Sequence, residues 1–392
     1  MVIALLGRLQ GGRLTLQLPD GSRCVCGSGA LEAQMRIHDW RVFGAVLRSG
    51  DVGLGRTFID GDWDSDDIAA LLLLLARGRD AIDRLIYGGR MGGLVLRIRH
   101  LLNANTRRGA RRNILAHYDL GNAFYRLWLD PSMTYSAALF EGQRERTLEV
   151  AQRAKVARAL DELGIQPGHR MLEIGCGWGT LAIAAAARGA SVTGISLSDA
   201  QTEWARSAAR DARCAERIDF QIRDYRDLRE RYDRIASIEM IEAVGERYWP
   251  RYFGAIRGAL AEDGVALVQA ITIDDSYFEA YRRGTDFIQQ YVFPGGMLPS
   301  PSRLAAEAAA QDLQVIRTLR FGGDYAETLR RWRSTFMGEE KAVRALGFDT
   351  DFIRLWQFYL AYCEAGFDAG ICDVAQFTLQ PSGSAPPRAQ PG

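Results

Sequence analysis

The sequence predicts an α/β fold: a Rossmann-like, doubly wound sheet preceded by a small α+β module. Three observations predict it. Apolar runs of strand length alternate with helical stretches over the second part of the chain, a pattern that implies a mostly parallel sheet with ligand sites at the carboxyl ends of its strands. One such run ends on Glu173, and glycines follow at Gly175, Gly177 and Gly179 before a helix-forming stretch from Leu181 to Ala187. With 392 residues, 47% of them apolar, the chain can bury a large core and is expected to form two domains.

In chain order, residues 1–85 read as the small module. Arg13-Leu-Thr-Leu-Gln-Leu18 alternates as a strand does, the Pro19-Asp-Gly21 turn punctuates it, and a Gly-rich segment spans Gly50 to Gly55. The apolar run from Ile68 to Ala76 is too short for a bilayer and reads as a buried helix. His38 is isolated between apolar neighbours and is expected to be structural.

Residues 86–112 read as a basic amphipathic linker. Between Arg84 and Tyr118 eight arginines occur without one acidic residue, interleaved with aliphatic side chains. Such a segment suits an anionic lipid surface, where each cation adds roughly 1 kcal/mol of attraction. An interdomain helix with solvated or paired arginines is the competing reading. Nucleic acid is not expected, because no aromatic or Lys-rich surface accompanies the stripe.

Residues 113–380 carry the alternating pattern. Strand-like runs cover Ala190–Leu197, Ile218–Ile222, Tyr232–Ile238 and Gly264–Thr272, with a helix from Ser198 to Arg210. A strand ending on Glu and running into G-x-G-x-G permits close backbone approach. It lacks the glycine spacing of a dinucleotide cradle. The pattern fits S-adenosylmethionine, which has no phosphates. Ser196, Leu197, Gln201, Asp224 and Tyr225 fall at strand ends and are candidate cofactor contacts; capping and core roles are the alternative for each. Residues 381–392, rich in Pro, Ser, Gly and Ala, read as a disordered tail.

The net charge of +1 points to no polyanionic partner. The six cysteines show no CxxC spacing and no histidine company, which predicts reduced thiols and no metal site. The basic residues are almost all Arg; Lys155 and Lys341 are the only lysines, a bias attributed to genome composition. Met1 to Leu6 lack a charged start and a long apolar core, so no secretory signal is expected.

Longer motifs narrow the substrate. His117 to Asn122, Phe124 to Pro131, Met133 to Phe140, Ser237 to Gly245, Asp286 to Ser300, Phe321 to Leu329 and Tyr359 to Phe367 stand in order along the chain. Together they resemble the cyclopropane-fatty-acid synthase and mycolic-acid methyltransferase family over about residues 110–380. The N-terminal module resembles the small lipid-associated domain of two-domain bacterial members. The resemblance implies a Rossmann-like class I methyltransferase domain, S-adenosylmethionine as donor and an unsaturated phospholipid acyl chain as acceptor. It implies a peripheral place at the inner face of the cell membrane, with a homodimer among the expected assemblies. Tyr135, Ser136, Glu173, Gly175, Gly177, Gly179, Ser196, Leu197, Gln201, Asp224 and Tyr225 then line the cofactor. Tyr281, Phe287, Tyr291 and Phe293 are candidates to stabilise a carbocation through their π faces, an apolar lining being the alternative.

Ring-forming members of that family hold a bicarbonate ion, thought to act as base. By resemblance Glu242, Tyr325 and the backbone of Ile271 match its contacts, but the Cys position is Ala137 and the His position is Gln269. Cys363 matches a family cysteine, although its apolar neighbours favour packing over chemistry. Glu239 stands where the ring-forming pattern is small; on a helical turn it would share a face with Glu242. Either Glu239 or Glu242 serves as base in place of the ion, or Glu239 is a bystander and the ion binds through the remaining groups. Cyclopropanation is the first expectation. A methylene- or methyl-branched chain is the second, a soluble methyl acceptor the third, and binding without catalysis the last.

Overall fold

The computed structural model describes residues 3, 6–78 and 120–383. The basic stretch, His117 and residues 384–392 lie outside the described residues. The described residues fall into two compact units. The first draws on Met1–Asn103, Glu279–Pro294 and Tyr325–Cys372, the second on Ala104–Phe278, Gly295–Asp324 and Asp373–Gly392.

In the first unit, β1 (Gln10–Gln17) pairs antiparallel with β2 (Arg23–Ile37), and β2 with the short β3 (Trp63–Asp64). Leu14, Leu16, Ala33, Met35 and Ile37 are buried, as period-two alternation requires of a sheet with one face covered. Helix α1 (Arg41–Ile59) is interrupted by a kink at Ser49–Gly50, the start of the Gly-rich segment, and continues through Gly53 and Gly55. The glycines serve packing: a Cβ on Gly55 would lie 2.3 Å from Phe287 Cδ2. Helix α2 (Ile68–Arg77) is capped by Asp67, which accepts from Ala70 N at 3.0 Å, and buries Ile68, Leu71, Leu72 and Leu74. Among the described residues no helix is long and apolar enough to cross a membrane. His38 Nε2 lies 2.9 Å from Asp64 Oδ2, a structural contact at the sheet edge.

The helix Thr350–Asp368 packs on α1 and α2, and its Arg354 donates to Asp64 Oδ1 and Trp63 O, both at 2.9 Å. Of the four aromatics proposed for cation stabilisation, Phe287 is fully buried, with ring centroids 4.5 Å from Phe358 and 5.0 Å from Tyr291. Tyr281 accepts from Gln289 Nε2 at 3.1 Å. All four belong to this unit.

The second unit is the doubly wound sheet. Its elements are α3 (Leu148–Glu162), β4 (Arg170–Ile174), α4 (Thr180–Ala187), β5 (Ser191–Ser196), α5 (Asp199–Asp211), β6 (Ile218–Ile222), β7 (Tyr232–Ile238), α6 (Trp249–Ala259), β8 (Leu260–Ile273), β9 (Leu313–Arg320) and β10 (Cys372–Pro381). The strand order is β6-β5-β4-β7-β8-β10-β9, parallel from β6 to β8, with β9 and β10 antiparallel. The order reverses at β4, and a doubly wound sheet binds its ligand at such a switch point. Met171, Val192 and Phe220 pack with Leu181, Ala185 and Ala205 of α4 and α5 in one buried cluster. Pro381, expected to open the tail, instead pairs with Leu313 as the last residue of β10.

Candidate active site

Strand β4 is buried through Met171, Leu172, Glu173 and Ile174, and the backbone then turns through positive φ at Gly175 (81°), Gly177 (51°) and Gly179 (89°). The amides of Gly175 and Cys176 donate to Ile195 O at 2.9 and 3.0 Å, which ties the turn to β5. A Cβ on Gly177 would meet nothing within 4 Å, so this residue opens onto the cavity that the strand ends enclose. Gly179 was expected to touch the cofactor and does not line the cavity. A Cβ there would sit 2.8 Å from Phe220 Cζ and 2.9 Å from Ala205 Cβ, so its bareness serves the packing of helix on strand.

The cavity is lined by Tyr135, Ser136, Glu173, Gly175, Gly177, Ser196, Leu197, Gln201, Asp224 and Tyr225, all of them predicted. Ser198 caps α5 and donates its amide to Ser196 Oγ at 3.2 Å, fixing that hydroxyl at the end of β5. Asp224 already holds the Arg226 backbone amide at 2.9 Å and its guanidinium Nε at 2.8 Å. Glu173 is buried, its carboxyl is pushed up to about 8 by desolvation, and its Oε2 has no hydrogen-bond partner among the described residues. A turn without side chains beside a buried acid with an unspent oxygen suits a polar ligand that needs backbone contact.

Several lining residues escaped the sequence reading, Trp178, Arg223 and Arg226 among them, and the most consequential is a lysine. Lys155, on the buried face of α3, donates from Nζ to Ser136 Oγ at 2.6 Å. Burial draws its ammonium down to about 8, against the attraction of Glu239, Asp130 and Glu173. Its signal was its rarity: a lysine in an Arg-rich chain, set among apolar helical residues.

Glu239 lines the same cavity. Its φ of +48° places it outside the short 3₁₀ turn Ile241–Ala243, so the helical face once expected to join it to Glu242 does not form. Glu239 Oε1 accepts from the Ala137 amide at 2.9 Å and from Gln269 Nε2 at 2.7 Å. Gln269, at the middle of β8, is fully buried, and its Oε1 accepts from Gln376 Nε2 at 3.0 Å. Glu242 Oε1 accepts from the Ile271 amide. Its Oε2 has no hydrogen-bond partner among the described residues, and burial first, then Glu239, push the carboxyl up to about 8. The structure thus gathers Glu239, Glu242, Gln269 and Ile271. Tyr325 and Cys363 belong to the first unit, where Tyr325 packs 4.5 Å from the Phe367 ring and burial pushes the Cys363 thiol well up. A thiol so raised is not nucleophilic at neutral pH.

Residues 105–377 match the family described as mycolic acid cyclopropane synthetase. The chain belongs to this family. It is 40% identical over 342 residues to the tuberculostearic acid methyltransferase UfaA1 of Mycobacterium tuberculosis, covering 85% of this chain and 80% of that one. It is 31% identical over 345 residues to the cyclopropane-fatty-acyl-phospholipid synthase of Escherichia coli K12, covering 87% and 86%. Among solved structures it resembles the mycolic acid cyclopropane synthase CmaA1 complexed with SAH and CTAB, with TM-score 0.64 and 33% identity over 69% of this chain and 98% of that one. The fold alone is shared with coclaurine N-methyltransferase, at TM-score 0.65 and 17% identity, covering 84% of this chain and 99% of that one. This member of the cyclopropane synthetase family is an S-adenosylmethionine-dependent methyltransferase with a Rossmann-like class I fold.

Proposed function

We propose that this methyltransferase alkylates the double bond of an unsaturated fatty-acyl chain of a membrane phospholipid, and that its product is a methylene-branched chain. The observation that carries this reading is the carboxylate of Glu239, held between the Ala137 amide and the Gln269 side chain. Those are the two positions whose Cys and His counterparts are expected to hold bicarbonate in ring-forming relatives. Here a tethered anion meets the same two positions. Bicarbonate is therefore no part of the proposed reaction.

S-adenosylmethionine supplies an electrophilic methyl group. The residues at the glycine turn, Ser196, Gln201 and Tyr135 hold that donor, and the buried Lys155 keeps negative charge within the cavity balanced. The alkene's π electrons would form the new C–CH₃ bond as the donor's S–CH₃ bond breaks, its electrons returning to sulfur to leave S-adenosylhomocysteine, and a cation would remain on the neighbouring carbon. A ring closes if the transferred methyl loses a proton while its C–H electrons reach that cation. Both lone pairs of Glu239 Oε1 are engaged by N–H donors, which slows proton capture there. A longer-lived secondary cation takes a hydride from the methyl-bearing carbon and becomes tertiary. Loss of a methyl proton to Glu239 then gives an exocyclic C=CH₂, with one proton released and no reductant consumed. The name of the relative at 40% identity, a tuberculostearic acid methyltransferase, supports branching over ring formation. Ring closure, the first expectation from sequence, keeps its support in Glu242, still braced by the Ile271 amide.

The test is incubation of purified protein with methyl-labelled S-adenosylmethionine and monounsaturated anionic phospholipid vesicles, followed by mass spectrometry and ozonolysis of the acyl chains. An exocyclic methylene cleaves to a ketone, and this is the expected result. A product that gains one CH₂ but resists ozone is a ring and overturns the branching. No labelled lipid, with cofactor binding intact, overturns the lipid acceptor.

A further inference from the structure

The buried contact at Glu239 is the end of a longer chain. Gln269 on β8 accepts from Gln376 on the adjacent strand β10, and Gln376 Oε1 in turn accepts from Arg158 Nη1 on α3. Both amides are essentially without solvent contact, at 0% and 1% exposure, so neither can exchange its partners for water. Arg158 is anchored by Glu162, which takes its Nη2 at 3.3 Å and also holds Arg317 Nη1 at 2.8 Å and Thr378 Oγ1 at 3.2 Å.

The two ends differ in kind. A guanidinium has donors only, and an ionised carboxylate has acceptors only, while each primary amide between them has one donor face and one acceptor face. Arg158 therefore obliges Gln376 to turn its oxygen outward and its NH₂ towards Gln269. Gln269 must then present its oxygen to Gln376 and its NH₂ to Glu239. Without the arginine, the chain could invert whenever Glu239 takes up a proton, since a protonated carboxyl can donate to an inverted amide. With the arginine, turning Gln269 alone would set two NH₂ groups against each other, and turning both amides would point Gln376's NH₂ at a cation.

We propose that Arg158 and Gln376 are positioning residues for the reaction, locking the polarity of a buried amide relay so that Gln269 donates to Glu239 in both of its protonation states. The lock favours the ionised form of Glu239 and so favours release of the captured proton. The named charged neighbours acting on this carboxylate are Lys155 and Glu242; the relay acts in addition to them. The role as a base rests on the functional reading above, whereas the polarity of the relay does not.

Gln376→Glu is the discriminating variant. Its new carboxylate keeps the Arg158 pairing but can no longer donate, so Gln269 turns its NH₂ away and its oxygen faces Glu239. The protein is expected to bind S-adenosylhomocysteine as the wild type does. Losing one charge-assisted hydrogen bond should move the acid limb of the kcat profile up by roughly one pH unit or more. KM for S-adenosylmethionine should stay within about twofold, since the cofactor contacts are untouched. R158M should show a smaller shift in the same direction, and R158K, which keeps a donors-only end, should return most of it. The titration of Glu239 by ¹³C-carboxyl NMR, assigned through its loss in E239Q, reads the same shift without turnover. An unmoved carboxylate titration in Q376E overturns the proposal. If the wild type binds cofactor but modifies no lipid, the functional reading falls, and the NMR titration still decides the relay.

Discussion

Glu239→Ala is the sharpest perturbation of the site. It leaves the Ala137 amide and the Gln269 NH₂, which now share one carboxylate oxygen, without that acceptor. Each orphaned buried donor costs roughly 1–3 kcal/mol, about 2–6 kcal/mol together, against a typical total stability of about 5–15 kcal/mol. The variant should be destabilised yet folded, with S-adenosylhomocysteine binding retained. Removing the base should lower turnover by roughly 10²–10⁴. The vacated space keeps two N–H donors facing it and loses one carboxylate, so it becomes a receptor for a small anion. Bicarbonate added to E239A should restore part of the turnover and raise the unfolding free energy by about 2.7 kcal/mol at a hundredfold excess over its dissociation constant, read as a higher denaturation midpoint. Because the restored base is not tethered, the ring product should gain at the expense of the methylene. The wild type, measured in bicarbonate-depleted buffer and after repletion, should not respond. Dependence of the wild type on bicarbonate, or full activity of E239A without it, would refute the reasoning.

Three further outcomes follow from the site's burial. Glu173 and Glu242 have folded pKa values pushed up to about 8, so above the ordinary carboxylate range the folded protein holds protons that the unfolded chain has lost. Their contribution is full at acid pH and declines as pH rises through about 8; urea titrations should show a shallower decline over that window in E242Q. Lys155 has the opposite sign: its folded pKa is drawn down to about 8, so stability recovers as pH rises from there towards the ordinary lysine range. K155M should lack that recovery and should lose cofactor affinity, read by calorimetry, because Ser136 loses its donor and the buried carboxyls their cation. G179A should lose roughly 2–5 kcal/mol in chemical denaturation, from a left-handed alanine and the clash with Phe220 and Ala205, while G177A, which meets no neighbour, should mainly weaken S-adenosylmethionine binding.

Much of the sheet was legible because its central strands are largely buried and its strands carry continuous or alternating apolar runs. Ile218–Ile222 and Tyr232–Ile238 form strands over the lengths their apolar runs suggested, and Ser198 caps the helix it was expected to open. The role of the glycines at 50–55 was not legible, because Phe287, which packs against Gly55, lies far along the chain. The packing of Gly179 against Phe220 and Ala205 was hidden for the same reason. Residues 279–294 and 325–372 join the N-terminal unit, which periodicity has no means of showing. Glu239 was visible as an unusual residue, but its partners at positions 137 and 269 are separated from it by 102 and 30 residues, and only the fold brings them together. Lys155 was visible and set aside. Its meaning comes from three acids supplied by other elements.

The substitutions at positions 137, 239 and 269 make physical sense only together. A bicarbonate ion beside Glu239 and Glu242 would be a third acid next to one buried ammonium, and like charges so confined suppress one another's ionisation. Glu239 and a bound ion therefore compete for the same donors and the same compensating charge. Once Glu239 occupies the donors, a cysteine at 137 offers nothing that the Ala137 amide does not already provide. A histidine at 269 would bring a titrating group where the Gln376 relay needs a fixed polarity, and glutamine supplies that polarity at any pH. Tethering has a directional cost as well. A free ion can follow the departing proton around the new methyl group, whereas a carboxylate fixed at the end of β7 must wait for the methyl to reach it. In the proposed reaction that delay would give the cation time to move to the more substituted carbon, so the same three residues that would replace bicarbonate would also turn the product from ring to branch.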